Sequence, residues 1–483
     1  VVLYDHFFSP HTDHSLWPCE PDKFASTVMQ NVYGGTSLVP IYHCAGSFNP
    51  RTKIKIDPFF EDYILEDNTM QKTTKYGIAE QTKKNAIVAL EKYSLPLKGY
   101  HGSGLQATTN VLKKYLKRTI GTVEVQDWQT VFADTDWSTG PGFPYGSEGI
   151  TKADFFVGTF DCHRDVVSKL EAYERALMFG PTYPTPVYTA AYKDEVLATE
   201  KIEKNKTRLF MPSSFPYTLL CSKYFGDFAK RFYKCAKMST TNFWPGKVEQ
   251  IHFAELYEQV SKFQLALHAD MGSWDKTVLD TIMACIYEAM LECYPLEFSA
   301  NTPENTIFSR LACDNIFKNV ALWDGTLIYL TGKQASGHVL TIVLNSLMIL
   351  FLLLLACHDL GYSAEKFLNE TYWMIGGDDN FIAFNKEWSP FFQQLPDYLA
   401  SIGYIYETEG IQTPKEINFL SASIGVIDTP SEQFIGPRRD YQRLVATCQF
   451  TKHPKDPSVA HMKALSALLA AVPIGRDEFS RIA

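Results

Sequence analysis

Between Val339 and Cys357 the chain is almost uninterruptedly apolar, with Leu347-Met348-Ile349-Leu350-Phe351-Leu352-Leu353-Leu354-Leu355 at its centre. Such a stretch folds as a helix that either crosses a bilayer or is enclosed by protein on every side. Ser336-Gly337-x-x-x-Thr341-x-x-x-Asn345 leads into it. On a helix His338, Thr341 and Asn345 share one stripe at i, i+3 and i+7, and apart from Ser346 the other faces are apolar. A buried polar stripe needs a polar partner, which a ribose in a cleft would supply, so an enclosed helix is predicted and no transmembrane span is expected. A core helix whose Thr and Asn are satisfied locally is the plainer alternative.

Enclosing such a helix takes a large protein. The chain has 483 residues, 46% hydrophobic, 14% aromatic and 20% charged, which fits several domains or one large ordered enzyme built of subdomains around a cleft. A net charge of −9 excludes a uniformly basic coat for nucleic acid but leaves room for a basic channel inside an acidic shell. The ten cysteines contain no C-x-x-C pair, so neither a zinc site nor a disulfide framework is signalled, and reduced thiols in a cytoplasmic setting are expected. Val1-Val2-Leu3-Tyr4-Asp5 has neither an initiator Met nor a signal sequence, which fits a product cut from a longer polyprotein. There is no repeat of solenoid period and no Gly/Ser- or Pro-rich linker, so the subdomains are expected to interleave.

Phe263, Leu265, Leu267 and Ala269 alternate as on a half-buried strand ending at Asp270, and a helix pattern follows from Asp275 through Leu291. Tyr372-Trp373-Met374-Ile375 and Phe381-Ile382-Ala383-Phe384 flank Gly376-Gly377-Asp378-Asp379-Asn380, which predicts a β-hairpin with Asp378 and Asp379 on its turn. A folded sheet could set Asp270 beside Asp378 and Asp379. Carboxylates so close need a cation, and Mg²⁺ favours a few carboxylates supplemented by phosphate oxygens and water, the clamp of nucleotidyl transfer. Alternatively Asp-Asp merely fills a polar turn, and Asp275 merely caps a helix.

Lys193-Asp194-Glu195 is followed by Lys201, Lys206 and Arg208. If the segment is extended, Lys206 and Arg208 point to one face, across which a triphosphate could lie, Arg208 being the best phosphate partner. The interleaved Glu200 and Glu203 leave a solvated charged hairpin as the alternative. Beyond Pro437, Tyr441 to Phe450 and Val459 to Ala471 have helical composition, broken by Pro454 and Pro457.

In order and spacing these pieces resemble the motifs of RNA-dependent RNA polymerases of positive-strand RNA viruses, nearest to the picornavirus-like supergroup, from about residue 138 to the C-terminus. The resemblance implies an α+β right-hand polymerase fold of fingers, palm and thumb, with an antiparallel palm sheet flanked by helices. The expected division is fingers 1–228, palm 229–306, a fingers insertion 307–323, palm 324–425 and thumb 426–483. Thr139-Gly140-Pro141-Gly142-Phe143-Pro144 looks like the template-entry motif, so Thr139, Gly140, Gly142 and Pro144 would bind template. Lys193, Lys201, Lys206 and Arg208 match the fingertip motif on the NTP path. Asp270 and Asp275 match the first palm motif, Ser336, Gly337, Thr341 and Asn345 the second, and Gly377-Asp378-Asp379 the third. In that family the first and third motifs hold two Mg²⁺ ions, Mn²⁺ being able to substitute, while Asp275 and Asn345 would read ribose hydroxyls. Lys415 resembles the lysine proposed to protonate leaving pyrophosphate, and Phe419-Leu420-Ser421 a primer-grip turn without its common basic residue. Phe450-Thr451-Lys452 and His461-x-x-Ala464-Leu465 resemble the picornaviral thumb.

Two positions depart from the pattern. Gly376 stands where an aromatic residue usually precedes Gly-Asp-Asp, which is expected to leave the turn more flexible, and Leu197 replaces an Arg often found after Lys-Asp-Glu. The implied partners are RNA template and primer, NTPs, a protein primer and other viral replication proteins. The implied location is the host cytoplasm at membrane-associated replication complexes. A reverse transcriptase is the nearest enzymatic rival, and a catalytically silent RNA-binding or membrane-scaffold protein the rival of another class.

Overall fold

The computed structural model describes residues 52–61, 73–94, 98–100, 102–143, 145, 150–155, 164–180, 183, 185–295, 302–322, 327–416, 418–428 and 433–472. At its centre lies the helix Thr341–Asp359, in which every residue from Val343 to Cys357 is buried. Helices Gly104–Thr119, Asp280–Leu291 and Ser389–Ser401 and the strand Tyr372–Gly376 pack around it. Length and a hydropathy of 2.3 would suit a membrane span, but 83% of its most apolar window is covered by protein, so it is built as a core helix. Pure Leu/Ile/Phe faces have no polar side to turn to solvent, and enclosure is how the fold accommodates that.

Beside this helix runs a four-stranded antiparallel sheet in the order Tyr372–Gly376, Asp379–Phe384, Leu265–Gly272, Ile405–Gln412. Its two faces are both apolar but belong to different clusters. Leu267, Ala269, Met271, Ile375, Ile382 and Phe384 join the main core with the central helix. Ala266, Met374, Phe381 and Ala383 meet Trp244, Phe253, Leu256, Val260 and Phe419 on the other side. The alternation seen in the sequence is therefore real for Leu265, Leu267 and Ala269. Phe263, however, lies ahead of the strand and packs with the second cluster, and the strand runs past Asp270 to Gly272.

The helix expected from Asp275 to Leu291 is two helices, Trp274–Thr277 and Asp280–Leu291. Val278 takes an extended conformation between them, at φ −61° and ψ 127°, and frees the carbonyls of Asp275 and Val278 from helical pairing. Those carbonyls accept the N–H groups of Gln334 and Lys333, each at 2.8 Å. A local sequence pattern cannot register this, because the competing partners come from 55 and 59 residues away along the chain.

Distant segments are stitched together elsewhere too. Val187–Thr189 pairs in parallel with Phe317–Ala321, which pairs with Leu327–Thr331. Lys55–Ile56 pairs with Phe450–Thr451. The helices expected near the C-terminus are Tyr441–Gln449 and Pro457–Ala471.

The central helix supplies a direct test of this packing. Leu350 is 0% exposed, so Leu350→Ala should lower unfolding stability by about 2–5 kcal/mol. Urea titration followed by circular dichroism reads this out, and a loss below about 1 kcal/mol would contradict a tightly enclosed helix.

Candidate active site

The sheet register sets the acidic residues. Asp270 lies directly opposite Asp379 on one side and Glu407 on the other, and Asp379 lies opposite Gly376. Two residues, Gly377 and Asp378, form the turn, with Gly377 at φ +76°. Positive φ at the first of the two central residues is the geometry in which Gly is preferred and which matches the strand twist. Asp379 is thus the first residue of the second strand rather than part of the turn. The turn is fastened from below, since the buried Ser346 hydroxyl on the central helix accepts the Gly377 N–H at 2.9 Å.

Each aspartate has a distinct environment. Asp379 accepts from His268 Nε2 at 2.8 Å and from the Leu420 N–H at 3.1 Å, so both of its oxygens are engaged. Asp270 and Asp378 reach solvent. Partial desolvation, followed by Asp379 and Glu407, raises the Asp270 carboxyl above its ordinary range. Desolvation, then Asp270, Asp275 and Asp379, pushes Asp378 up to about 7. Carboxylates that raise one another's pKa form a site of uncompensated negative charge, with hard oxygen donors of the kind Mg²⁺ takes. Among the described residues no three His, Cys, Asp or Glu side chains are already gathered as a closed cage. An open pair at Asp270 and Asp378 fits an ion that keeps water and phosphate oxygens.

Asp275 is not a helix cap; the cap position is Ser273, at φ +56°. Its Oδ2 instead accepts a short hydrogen bond from the Ser336 hydroxyl. The backbone pairing at the broken helix is what brings Ser336 there. Thr341 turns its hydroxyl back into the loop, donating to His338 O at 2.7 Å and accepting the Gly337 N–H at 3.2 Å. Asn345 is 6% exposed and its Oδ1 has no partner, so an acceptor waits beside the loop. His338 does not join this stripe. It precedes the helix and packs on the Tyr217 ring, where burial and nearby Lys318 push its pKa down to about 3.

Two glycines hold this loop and the Thr139–Gly142 loop against one segment. Gly337, at φ +144°, lies so close that a Cβ would sit 2.8 Å from Pro212 N; at Gly142, φ +74°, a Cβ would collide with Ser213 O. Met211 N–H donates to Ser336 O and Phe215 N–H to Pro141 O, so residues 211–215 are clasped from both sides. Thr139 accepts a bond from Lys152 Nζ, and Gly140 is exposed. Pro144 lies outside the described residues.

In the basic segment Lys206 and Arg208 are exposed and Thr207 between them is buried, the alternation expected of an extended chain. Lys201 sits on a short helix, Thr199–Glu203, and with Lys206 it lies near Glu200. Arg208 is the member that senses the aspartates. Its forked bond to Glu195 chiefly raises its pKa, and Asp378 and Asp275 add to the effect. Lys193 stands 4.0 Å from the same Glu195. Lys415 lies on the 3-10 turn Pro414–Glu416, and its side chain is outside the described residues.

At Gly376 the structure corrects the expected flexibility. The position is buried, and a Cβ there would meet Trp244 Cβ at 3.3 Å and Phe419 Cζ at 3.6 Å. Ile375 N–H donates to Asn242 O at 3.2 Å and Trp244 N–H to Ile375 O at 2.8 Å, so the edge is pinned. Trp244, Leu420 and Phe419 from other segments close over the place, and glycine leaves them room.

Sequence reasoning missed His268, Glu407 and Lys276, and it singled out Leu420 only within a primer-grip turn, not as a partner of Asp379. Period two along the strand could have found His268, two residues before Asp270. Lys276, whose pKa burial lowers while Asp275 and Asp378 oppose the shift, adjoins Asp275 in sequence. Glu407 arrives through cross-strand register, for which the sequence carries no signal, and the pairing of the Leu420 N–H with Asp379 depends on how that turn folds back onto the sheet.

The sequence family described as viral RNA-dependent RNA polymerase matches residues 73–483. Among similar curated proteins, the genome polyprotein of Zucchini yellow mosaic virus (strain Singapore) is 23% identical over 55% of this chain and 8% of its own length. That of Pea seed-borne mosaic virus (strain DPD1) is 23% identical over 68% of the chain and 10% of its own length. Genome polyprotein 1 of Barley yellow mosaic virus (isolate Germany) is 25% identical over 73% of the chain and 14% of its own length. The chain therefore spans only a small part of these relatives.

With its carboxyl raised, Asp378 would bind a cation in a pH-dependent way. Its folded-state value of about 7 exceeds the ordinary 3.8, so the cation-free protein loses stability as pH rises through that window. A bound cation relieves that loss. Added Mg²⁺ should raise Tm more at pH 8 than at pH 6, and Asp378→Asn should flatten the difference; equal Mg²⁺ shifts at both pH values in the unmutated protein would contradict the assignment.

Proposed function

The chain belongs to the viral RNA-dependent RNA polymerase family, and from that footing we propose that it copies a viral RNA genome by template-directed, two-metal nucleotidyl transfer. The observation that carries the reading is Asp270 set opposite Asp379 beside the Asp378 turn, with Asp275 bound to Ser336 alongside. We propose a right-hand arrangement: fingers 1–228 with an insertion at 307–323, palm 229–306 and 324–425, thumb 426–483. The antiparallel sheet bearing the aspartates suits a palm. The pairing of residues 187–189 with 317–321 suits an insertion that returns to the fingers.

Asp270 and Asp378 would hold two Mg²⁺ ions, with Mn²⁺ able to substitute, and Asp379 would complete the cluster from its place between His268 and the Leu420 N–H. When bound, the ions supply charge neutralisation and in-line alignment for attack of a 3′-hydroxyl on the α-phosphate of an NTP. Arg208 would hold the triphosphate, its guanidinium plane fixed by Glu195, while Lys193, Lys201 and Lys206 line the approach. Asp275, Ser336, Gly337, Thr341 and Asn345 would read the ribose. The unpartnered Asn345 Oδ1 is an acceptor for a 2′-hydroxyl, which separates RNA from DNA precursors. Thr139, Gly140, Gly142 and Pro144 would guide template, and Lys415 would protonate pyrophosphate. RNA template and primer and NTPs are the substrates. A protein primer and other viral replication proteins are partners, with the chain released from a polyprotein and acting in the host cytoplasm at membrane-associated complexes.

Primer extension on an RNA template tests this. Asp378→Ala should abolish incorporation, whereas unchanged incorporation would refute the metal assignment. Asp275→Ala should reduce preference for rNTP over dNTP by about 10- to 100-fold, the loss of one charge-assisted hydrogen bond. Unaltered sugar selectivity would remove Asp275 from the ribose site, and dNTP preference in the unmutated enzyme would favour reverse transcription.

A further inference from the structure

Asp194 stands at a joint between stretches of chain that are far apart in sequence. Its Oδ1 accepts the Thr52 hydroxyl at 2.5 Å and Gln81 Nε2 at 3.4 Å, and its Oδ2 accepts the Lys53 N–H at 3.0 Å. Lys452 reaches it from near the other end of the chain, donating from Nζ to Asp194 O at 2.8 Å and standing 3.8 Å from Oδ2. The segment that carries Lys452 is fastened to the same neighbourhood. Phe450–Thr451 pairs with Lys55–Ile56, and Gln449 accepts the Asp57 N–H on its carbonyl and the Thr73 N–H on its side chain, each at 2.8 Å. Lys463, on the helix Pro457–Ala471, lies 3.5 Å from Asp57. The C-terminal helices are thereby tied to residues 52–57, and Asp194 is where that tie meets the basic segment.

The other side of this short stretch faces Arg208. Lys193 and Glu195 contact each other there while Asp194 points away, the alternation of an extended chain. Glu195 engages Arg208 through Nε, at 2.8 Å, and through Nη2. The Glu195 carbonyl accepts the Ala79 N–H at 3.0 Å, and Arg208 O accepts the Lys193 N–H at 2.9 Å. A forked guanidinium–carboxylate pair is directional, so the plane of Arg208 follows wherever the Glu195 backbone is set. The residue immediately before Glu195 holds that backbone from outside. It does so as a carboxylate, with acceptors on both oxygens; an amide would offer one oxygen and turn N–H groups toward the remaining donors.

We propose that Asp194 is a positioning residue for the triphosphate, coupling the seating of the C-terminal helices, through Lys452, to the aim of Arg208, through Glu195. The inference rests on the reading that Arg208 holds the NTP phosphates. Asp194 itself touches no substrate. Its effect falls on binding, because Arg208 would engage the phosphates in the bound and in the reacting complex alike.

Primer extension by the full chain at varied NTP concentration tests the proposal, with equilibrium titration of ATP in Mg²⁺ and Tm read alongside. Asp194→Asn should raise KM and weaken ATP binding by about tenfold, with kcat changed by less than about twofold. Lys452→Met, at a side chain 46% exposed, should act in the same direction at unchanged Tm. The double variant should lose no more than the larger single one, as partners in one contact do. On an Arg208→Lys background, where the fork to Glu195 is already lost, Asp194→Asn should add little, and Lys114→Met, at an exposed position on the helix Gly104–Thr119, should leave every value unchanged. Unweakened ATP binding in both single variants, a fall in kcat with KM unchanged, or an undiminished Asp194→Asn effect on the Arg208→Lys background would overturn the coupling. Failure of the unmutated chain to incorporate any NTP would count against the polymerase reading instead, while ATP binding would still decide the role of Asp194.

Discussion

The enclosure of one apolar helix organises the rest of the molecule. Thr341–Asp359 cannot face water, and the helices and strand that cover it define the main core. Its first turns are where that core meets the site. Ser346, buried at 0% exposure, accepts the Gly377 N–H on its hydroxyl oxygen, and Thr341 folds its hydroxyl into the preceding loop. An unsatisfied buried N–H costs about 1–3 kcal/mol, comparable with a large share of a domain's net stability. The polar residues on this helix therefore serve two ends: they satisfy backbone that the turn and loop leave unpaired, and they fix where those elements stand.

A second dependence runs through backbone carbonyls. The break at Val278 gives up helical hydrogen bonds locally and regains them from Lys333 and Gln334. The exchange places Ser336 against Asp275. Likewise Gly142 and Gly337 allow two loops to approach residues 211–215 more closely than any side chain would permit. The loops carrying Gly142 and Gly337 thus share one backbone platform, so a shift in residues 211–215 would be felt by both.

Electrostatics sorts the three aspartates of the sheet and turn. Asp379 is tied by His268 and the Leu420 N–H, whereas Asp270 and Asp378 repel each other at the solvent-reached face. Arg208, held by Glu195, offsets part of that charge at longer range. The negative cluster and the cations beside it form one assembly, which a divalent ion and a triphosphate together would balance.

Local pattern in the sequence determined the enclosed helix, the strand through Asp270, the hairpin through Asp378 and Asp379, and the alternation of Lys206 and Arg208. Each depends on period, turn chemistry or apolar run length, properties carried by neighbouring residues. Motif order supplied the family. What tertiary structure alone decided is how these pieces are completed: Trp244 covering Gly376, Glu407 and Asp379 flanking Asp270, Ser336 reaching Asp275, and His338 withdrawn into the core. Those depend on cross-strand register and on which distant N–H claims a freed carbonyl, and a linear sequence records neither, because the partners are chosen by packing rather than by proximity along the chain.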